Sequence, residues 1–119
     1  MTEDEVVERF SSWLVSEGWT ITEPIDRWLD IYAVRGEERL HVEAKGVTTS
    51  PGIDADTAWG QILRRMTDFG HPGARYALVC PESVARHMLW VPAVVRDRLG
   101  VEVYAVRTDG VVTFAQLPM

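Results

Sequence analysis

Asp30-Ile31-Tyr32-Ala33-Val34-Arg35-Gly36-Glu37-Glu38-Arg39-Leu40-His41-Val42-Glu43-Ala44-Lys45 reads as a β-hairpin. Residues 28–35 and 38–45 are the two strand-like runs, and Gly36-Glu37 sits between them with glycine at the first central position, as a type II′ turn requires. Centring the turn there places Arg35 opposite Glu38, Ala33 opposite Leu40 and Asp30 opposite Glu43. Directly opposed residues hold their Cβ atoms about 4.5–5.5 Å apart, and like charges in that position destabilise the pair. Two facing carboxylates therefore need either a retained proton or a cation between them. Oxygen ligands of this kind suit Mg²⁺ or Mn²⁺, hard ions that bind through one or two carboxylates and keep several waters. Side chains alternate along a strand, so Lys45 is expected on the face of Glu43, with Val42 and Ala44 turned toward a core.

Lys45 is the only lysine; the other eleven basic residues are arginines. An ammonium differs from a guanidinium in being a compact charge with a tunable pKa. Beside two carboxylates and a cation it can orient or deprotonate water, or neutralise charge growing on a phosphate. Taken alone, Glu43-x-Lys45 reads as a solvated surface pair; the opposed Asp30 and the strand periodicity give it chemical meaning.

Outward from the hairpin, residues 3–17 carry Val6, Val7, Phe10, Trp13 and Leu14 at helical spacing, with Thr2 as N-cap and Gly18 as stop. Residues 19–23 read as a short strand closed by Pro24. Residues 46–54 form a loop, and residues 55–69 a helix capped by Asp54 or Asp56 and stopped by Gly70, burying Ala55, Ala58 or Trp59, Ile62, Met66 and Phe69. Residues 74–80 are a nearly continuous apolar run, as in a strand buried on both faces. Residues 82–99 are helical in two pieces broken by Pro92 and closed by Gly100. Residues 101–107 and 111–117 form a final hairpin. The order helix, three strands, helix, strand, helix, two strands predicts an α/β fold, a mixed central sheet flanked by helices.

The 119 residues, 46% hydrophobic and 25% charged, make one domain spanning 1–119. The formal charge of −6 excludes a broadly basic nucleic-acid binder, though a local basic patch can still hold phosphate. One cysteine, Cys80, excludes an internal disulfide and a zinc ribbon and fits a reducing compartment. The acidic start lacks the apolar core of a secretory signal, and no apolar run approaches a membrane span, so a cytoplasmic protein without membrane contact is expected. Trp90 beside Pro92 marks an apolar patch for self-association, with a two-fold homodimer as the expected form.

Gln61, Arg64 and Arg65 lie together on the second long helix. Gln61 is the candidate to hold the water or the lysine, and Arg64 or Arg65 to touch a phosphate. Glu5 or Glu8 of the first helix could point at the metal. His41 shares the parity of Glu43 and faces Tyr32, so it either touches substrate near the rim or is a half-buried histidine beside an aromatic ring.

With Asp30 on the second strand and Glu43-Ala44-Lys45 on the third, the chain resembles the PD-(D/E)xK phosphodiesterases, the restriction-endonuclease-like superfamily with an αβββαβ core, and within it small Holliday-junction resolvases. Trp28-Leu29 stand where that superfamily often has a proline before the aspartate. The resemblance covers about residues 3–80; residues 81–119 would be a C-terminal helix and hairpin added to the sheet. It implies a metal-dependent nuclease acting on DNA. Asp30, Glu43 and the Ala44 carbonyl would hold Mg²⁺ or Mn²⁺, joined by Glu8, chosen for its spacing to Gly18-Trp19. Lys45 and Gln61 would serve catalysis, and His41, Arg64 and Arg65 would contact nucleic acid. The alternative is a nuclease-like fold that has lost activity and serves as a nucleic-acid-binding or assembly subunit.

Overall fold

The computed structural model describes residues 1–23 and 28–115. The order is α1 (Glu3–Ser16), β1 (Thr20–Thr22), β2 (Ile31–Arg35), β3 (Glu38–Ala44), α2 (Pro51–Arg64), β4 (Ala74–Pro81), a 3₁₀ turn (Glu82–Val84), α3 (Ala85–Met88), α4 (Ala93–Leu99), β5 (Val101–Val106) and β6 (Val112–Phe114). The six strands form one sheet in sequence order. β3, β4 and β5 run parallel, and β1, β2 and β6 are antiparallel to their neighbours. The first six main elements are thus helix, three strands, helix, strand, the expected αβββαβ order.

The sheet separates two cores. On one face Val6, Phe10 and Leu14 of α1 pack against Ile31, Ala33, Leu40, Val42, Ala44, Ala77 and Val79. On the other, Ala55, Ala58, Trp59 and Ile62 of α2 and Ala85 and Met88 of α3 cover Tyr32, Tyr76, Leu78, Val103 and Ala105. Leu78 and Val79 are neighbours in β4 yet belong to opposite cores, which is why this strand has no polar side. The α2 helix buries both Ala58 and Trp59, and the Trp59 indole N–H is satisfied by the Met88 carbonyl at 2.9 Å.

The β2–β3 hairpin has the expected register, with Arg35 opposite Glu38 and Ala33 opposite Leu40. Gly36 adopts φ +59° while Glu37 keeps a negative φ, the pattern of a II′ turn. β2 begins at Ile31 rather than at Trp28, which is 63% exposed. At α1, the Thr2 hydroxyl accepts the Glu5 N–H at 3.1 Å as an N-cap should.

The second long helix differs from expectation at both ends. It starts at Pro51, whose missing N–H and fixed φ suit the first helical turn, with Ser50 and not Asp54 or Asp56 at the cap position. It stops at Arg64 rather than Phe69, because the chain turns there to bring Asp68 to His41 and Tyr76. Phe69 is consequently 54% exposed instead of buried. The stretch 82–99 is shorter in helix than expected: a 3₁₀ turn and one turn of helix precede Pro92, and α4 follows it. Pro24 and residues 116–117 of the expected final strand lie outside the described residues. Among the described residues no helix is long and apolar enough to cross a membrane.

One close approach sets where α1 begins relative to β3. A Cβ on Gly46 would lie 2.4 Å from the Glu3 nitrogen and 2.9 Å from the Met1 carbonyl oxygen, both backbone atoms. Only glycine lets the segment after β3 lie against the start of α1. Gly46→Ala is therefore expected to cost about 1–3 kcal/mol by overpacking, read as a lower urea midpoint with the slope unchanged.

Candidate active site

β2 ends its pairing at Ile31, opposite Val42, so the next N–H on β3 toward that side has no strand carbonyl to bond. The Asp30 carboxylate takes its place, accepting the Ala44 N–H at 2.8 Å. On the other side of β3 the ladder runs on, with the Lys45 N–H donating to the Val79 carbonyl at 2.9 Å. Asp30 is therefore held by main chain at the end of the ribbon, and Glu43 stands beside it within hydrogen-bonding reach.

Glu43 is 2% exposed, and its Oε1 has no hydrogen-bond partner. Burial foremost, then the Asp30 charge and the hydrogen bond between the two carboxyls, push the Glu43 pKa up to about 8; Arg65 and Lys45 pull in the opposite direction. A buried carboxylate oxygen without a donor is an unmet demand that a proton or a cation would satisfy. Val42 and Ala44 face the α1-side core, as alternation requires.

Lys45 follows the end of β3. Its ammonium is largely shielded and lies 4.0 Å from a carboxylate oxygen of Glu3. Burial, then the Asp30 charge, raise the Glu3 pKa, with Lys45 acting against them. The carboxylate that α1 brings to this group is thus Glu3. Glu8, the expected one, is exposed, and nothing joins it to Asp30, Glu43 or Lys45; five residues on from Glu3, it points elsewhere around the helix. The signal for Glu3 lay in Gly46, whose need for backbone contact ties the first turn of α1 to the end of β3.

On α2, Gln61 is half-buried with its amide oxygen unpartnered, and it lines an open groove with Asp56, Thr57 and exposed Arg64. Arg65 is half-buried and contributes positive charge at Glu43. Asp30 also borders a groove of about 550 Å³ between α1 and the β1–β2 ribbon, shared with Val7, Ser11 and Thr22.

His41 does not serve at a rim. It is 6% exposed, lies between Tyr32 and Tyr76 at ring-centroid distances of 5.2 and 5.3 Å, and its Nε2 is 2.9 Å from the Asp68 carboxylate. The Tyr76 hydroxyl donates to the other Asp68 oxygen at 2.8 Å. Burial alone would raise the Asp68 pKa, but these two hydrogen bonds outweigh it and hold the carboxyl below its ordinary value. This buried cluster fastens the turn after α2 to the sheet; it leaves His41 no surface for nucleic acid. Cys80 is fully buried, and burial raises its pKa to about 12, which makes it inert as a nucleophile.

Among the described residues no three His, Cys, Asp or Glu side chains form a metal site by themselves. Two carboxylates and a main-chain carbonyl, completed by water and substrate, would suffice for Mg²⁺ or Mn²⁺. The unpartnered Glu43 Oε1 and the raised Glu43 pKa fit that ion.

No protein-family model matches the chain, and no curated protein matches it. Solved structures do resemble it. The crystal structure of a XisH family protein from Nostoc punctiforme aligns over 91% of this chain and 95% of its own, with a TM-score of 0.65 and 20% identity. That of an fdxN element excision controlling factor protein from Anabaena variabilis aligns over 92% and 96%, with a TM-score of 0.67 and 22% identity. At these identities the shared property is the fold, a six-stranded mixed sheet flanked by helices.

The Glu43 carboxyl keeps its proton to about 8 when folded, against 4.5 for an ordinary glutamate. Between those values the folded state binds more protons than the unfolded one, so this group makes stability fall as pH rises. Glu43→Gln cannot ionise. It is expected to flatten that part of the pH profile and to raise the Tm near pH 8, as read by thermal denaturation across about pH 5–8.

Proposed function

We propose that this chain is a metal-dependent nuclease of the PD-(D/E)xK type, with a restriction-endonuclease-like fold, acting on DNA. The observation that carries the reading is the Asp30–Glu43 carboxyl pair at the end of the β2–β3 ribbon, with the lone lysine electrostatically coupled to it. A solvated hairpin has no use for a buried glutamate whose oxygen lacks a donor. The fold neighbours lend support, since one is named as an excision controlling factor, and excision is work that phosphodiester cleavage serves.

In this reading Asp30, Glu43 and the Ala44 carbonyl hold Mg²⁺ or Mn²⁺. When bound, the ion supplies Lewis-acid stabilisation at a phosphoryl oxygen and makes water more acidic. Asp30 is fixed for the task by its bond to the Ala44 N–H. Glu43 must release its proton before it can serve as a ligand, so metal affinity rises with pH. Lys45 orients the attacking water or takes up charge on the phosphate, and Glu3, at 4.0 Å, restrains where the ammonium sits. Gln61 offers its amide to the same water, while Arg64 and Arg65 meet substrate phosphate. A two-fold dimer using the exposed Trp90 belongs to the reading as well.

Incubation of labelled DNA with Mn²⁺ or Mg²⁺ tests it. Wild type should cleave and should gain Tm with millimolar Mn²⁺, because an ion bound only to the folded state stabilises it. Lys45→Ala should lose about 10²-fold or more in cleavage yet keep the Mn²⁺-induced Tm gain. Glu43→Gln should lose both. A wild-type Tm indifferent to Mn²⁺, with no cleavage, would favour the inactive nuclease-like subunit instead.

A further inference from the structure

Two residues beyond Lys45, Val47 borders an open crevice of about 440 Å³ past the C-terminal ends of β4 and β5. Met1, Ser83, Arg107 and Thr108 share its lining. The Val47 N–H donates to the Met1 carbonyl at 2.9 Å, so one wall of the crevice is continuous with the first turn of α1 that carries Glu3 to Lys45. Open α/β sheets take their ligands in this place, outside the carboxyl ends of parallel strands. The volume lies within the roughly 300–1,000 Å³ of small-ligand sites and admits one nucleotide unit.

The basic residues divide between the two ends of the sheet. At the far end the charges are already matched: Arg35 and Arg75 pair with Glu38, Arg75 also with Glu102, and Arg39 lies beside Asp68. At the crevice end, Arg9 reaches from α1 to the Thr108 and Arg107 carbonyls at 3.1 and 3.5 Å, using only Nη1. Among the described residues it has no carboxylate at ion-pair distance, and its other two nitrogens remain to donate. Arg107 is paired with Asp109 at 3.0 Å and Glu82 at 3.9 Å, but all three side chains are exposed. Such pairs are weak and exchange readily for a competing anion. A planar guanidinium fork matches phosphate geometry; Arg107 lines the crevice together with Glu82, and Arg9 is held on the carbonyls of the Arg107–Thr108 wall, so two donors suited to a phosphodiester stand in and beside it.

We propose that this crevice is a phosphate-backbone subsite, seating the nucleotide adjacent to the one whose bond is cut, with Arg9 and Arg107 as its phosphate contacts. The inference rests on the nuclease reading and extends it: the nucleic-acid strand runs along the carboxyl edge of β3, β4 and β5 rather than over α2 alone. Ser83 and Thr108 supply hydroxyl donors along that path.

Fluorescence anisotropy with a labelled duplex DNA, without added metal and over a salt series, tests it. Arg9→Gln and Arg107→Gln should each weaken binding about 3–10-fold and lower the salt slope by about 0.9, one phosphate contact apiece. Arg98→Gln, on the exposed last turn of α4 at the opposite end of the sheet, should change neither. Arg9→Lys keeps the charge and should retain most of the salt slope. If Arg9 only braces the β5–β6 turn, Arg9→Gln will lower the Tm with the slope intact, which contradicts its assignment. Unaltered affinity and slope in both glutamine variants, with wild type still binding and cutting DNA, overturn the subsite and leave the nuclease reading standing. Wild type that neither binds the duplex nor cuts it with Mn²⁺ removes the nuclease reading and the subsite together.

Discussion

The Asp30 carboxylate bonded to the Ala44 N–H is the interaction on which the candidate centre depends. It arises from a mismatch in strand length. β3 continues past the end of β2, and a buried main-chain donor there must find an acceptor. By filling that role a carboxylate is fixed at the ribbon's end, next to a second carboxyl that the strand has already carried into the interior. Side chains placed by main-chain bonds lose little freedom on binding an ion or a substrate, which is the usual meaning of preorganisation.

The electrostatic consequence is a site that is uncomfortable when empty of any cation. Glu43 keeps its proton at neutral pH because ionisation would place a second negative charge in a poorly solvated spot beside Asp30. Lys45 and Arg65 ease this without abolishing it. Glu3 adds a third carboxyl at the margin, sharing the lysine. Such tension is characteristic of functional centres, where charge is kept for chemistry rather than for stability. The opposite arrangement prevails at the other end of the sheet. There Arg35, Glu38, Arg75 and Glu102 alternate in sign and are mutually satisfied, with Arg35 also 4.3 Å over the Trp19 ring.

Much of this was legible in one dimension. The hairpin register follows from Gly36-Glu37 and from period-two alternation, and both are local properties. The order of elements, the doubly buried β4 and the Thr2 cap are equally local. The misread portions share a cause. Periodicity carries the second long helix on to Phe69, yet Asp68 is drawn to His41, 27 positions earlier, and the helix gives way. That one contact decides both environments: His41 is the buried histidine beside Tyr32 and not a residue of the rim, and Phe69 is exposed. Spacing along the chain points to Glu8, but only the docking of α1 on Gly46 decides which of its glutamates meets Lys45.

The sequence by itself determined which candidate groups come together: an aspartate just past the paired end of one hairpin strand, a glutamate on the other, and a single lysine two positions on. Strand pairing through a two-residue turn leaves that geometry almost no freedom. The tertiary structure alone decided what surrounds them: Glu3 rather than Glu8 at the lysine, the histidine consumed by the Asp68 carboxylate, and the crevice bordered by Arg107 with Arg9 braced beside it. Those neighbours come from segments as many as 99 positions apart in the chain. No local periodicity can encode how a helix slides or rotates on a sheet until side-chain volumes and close backbone approaches choose the packing.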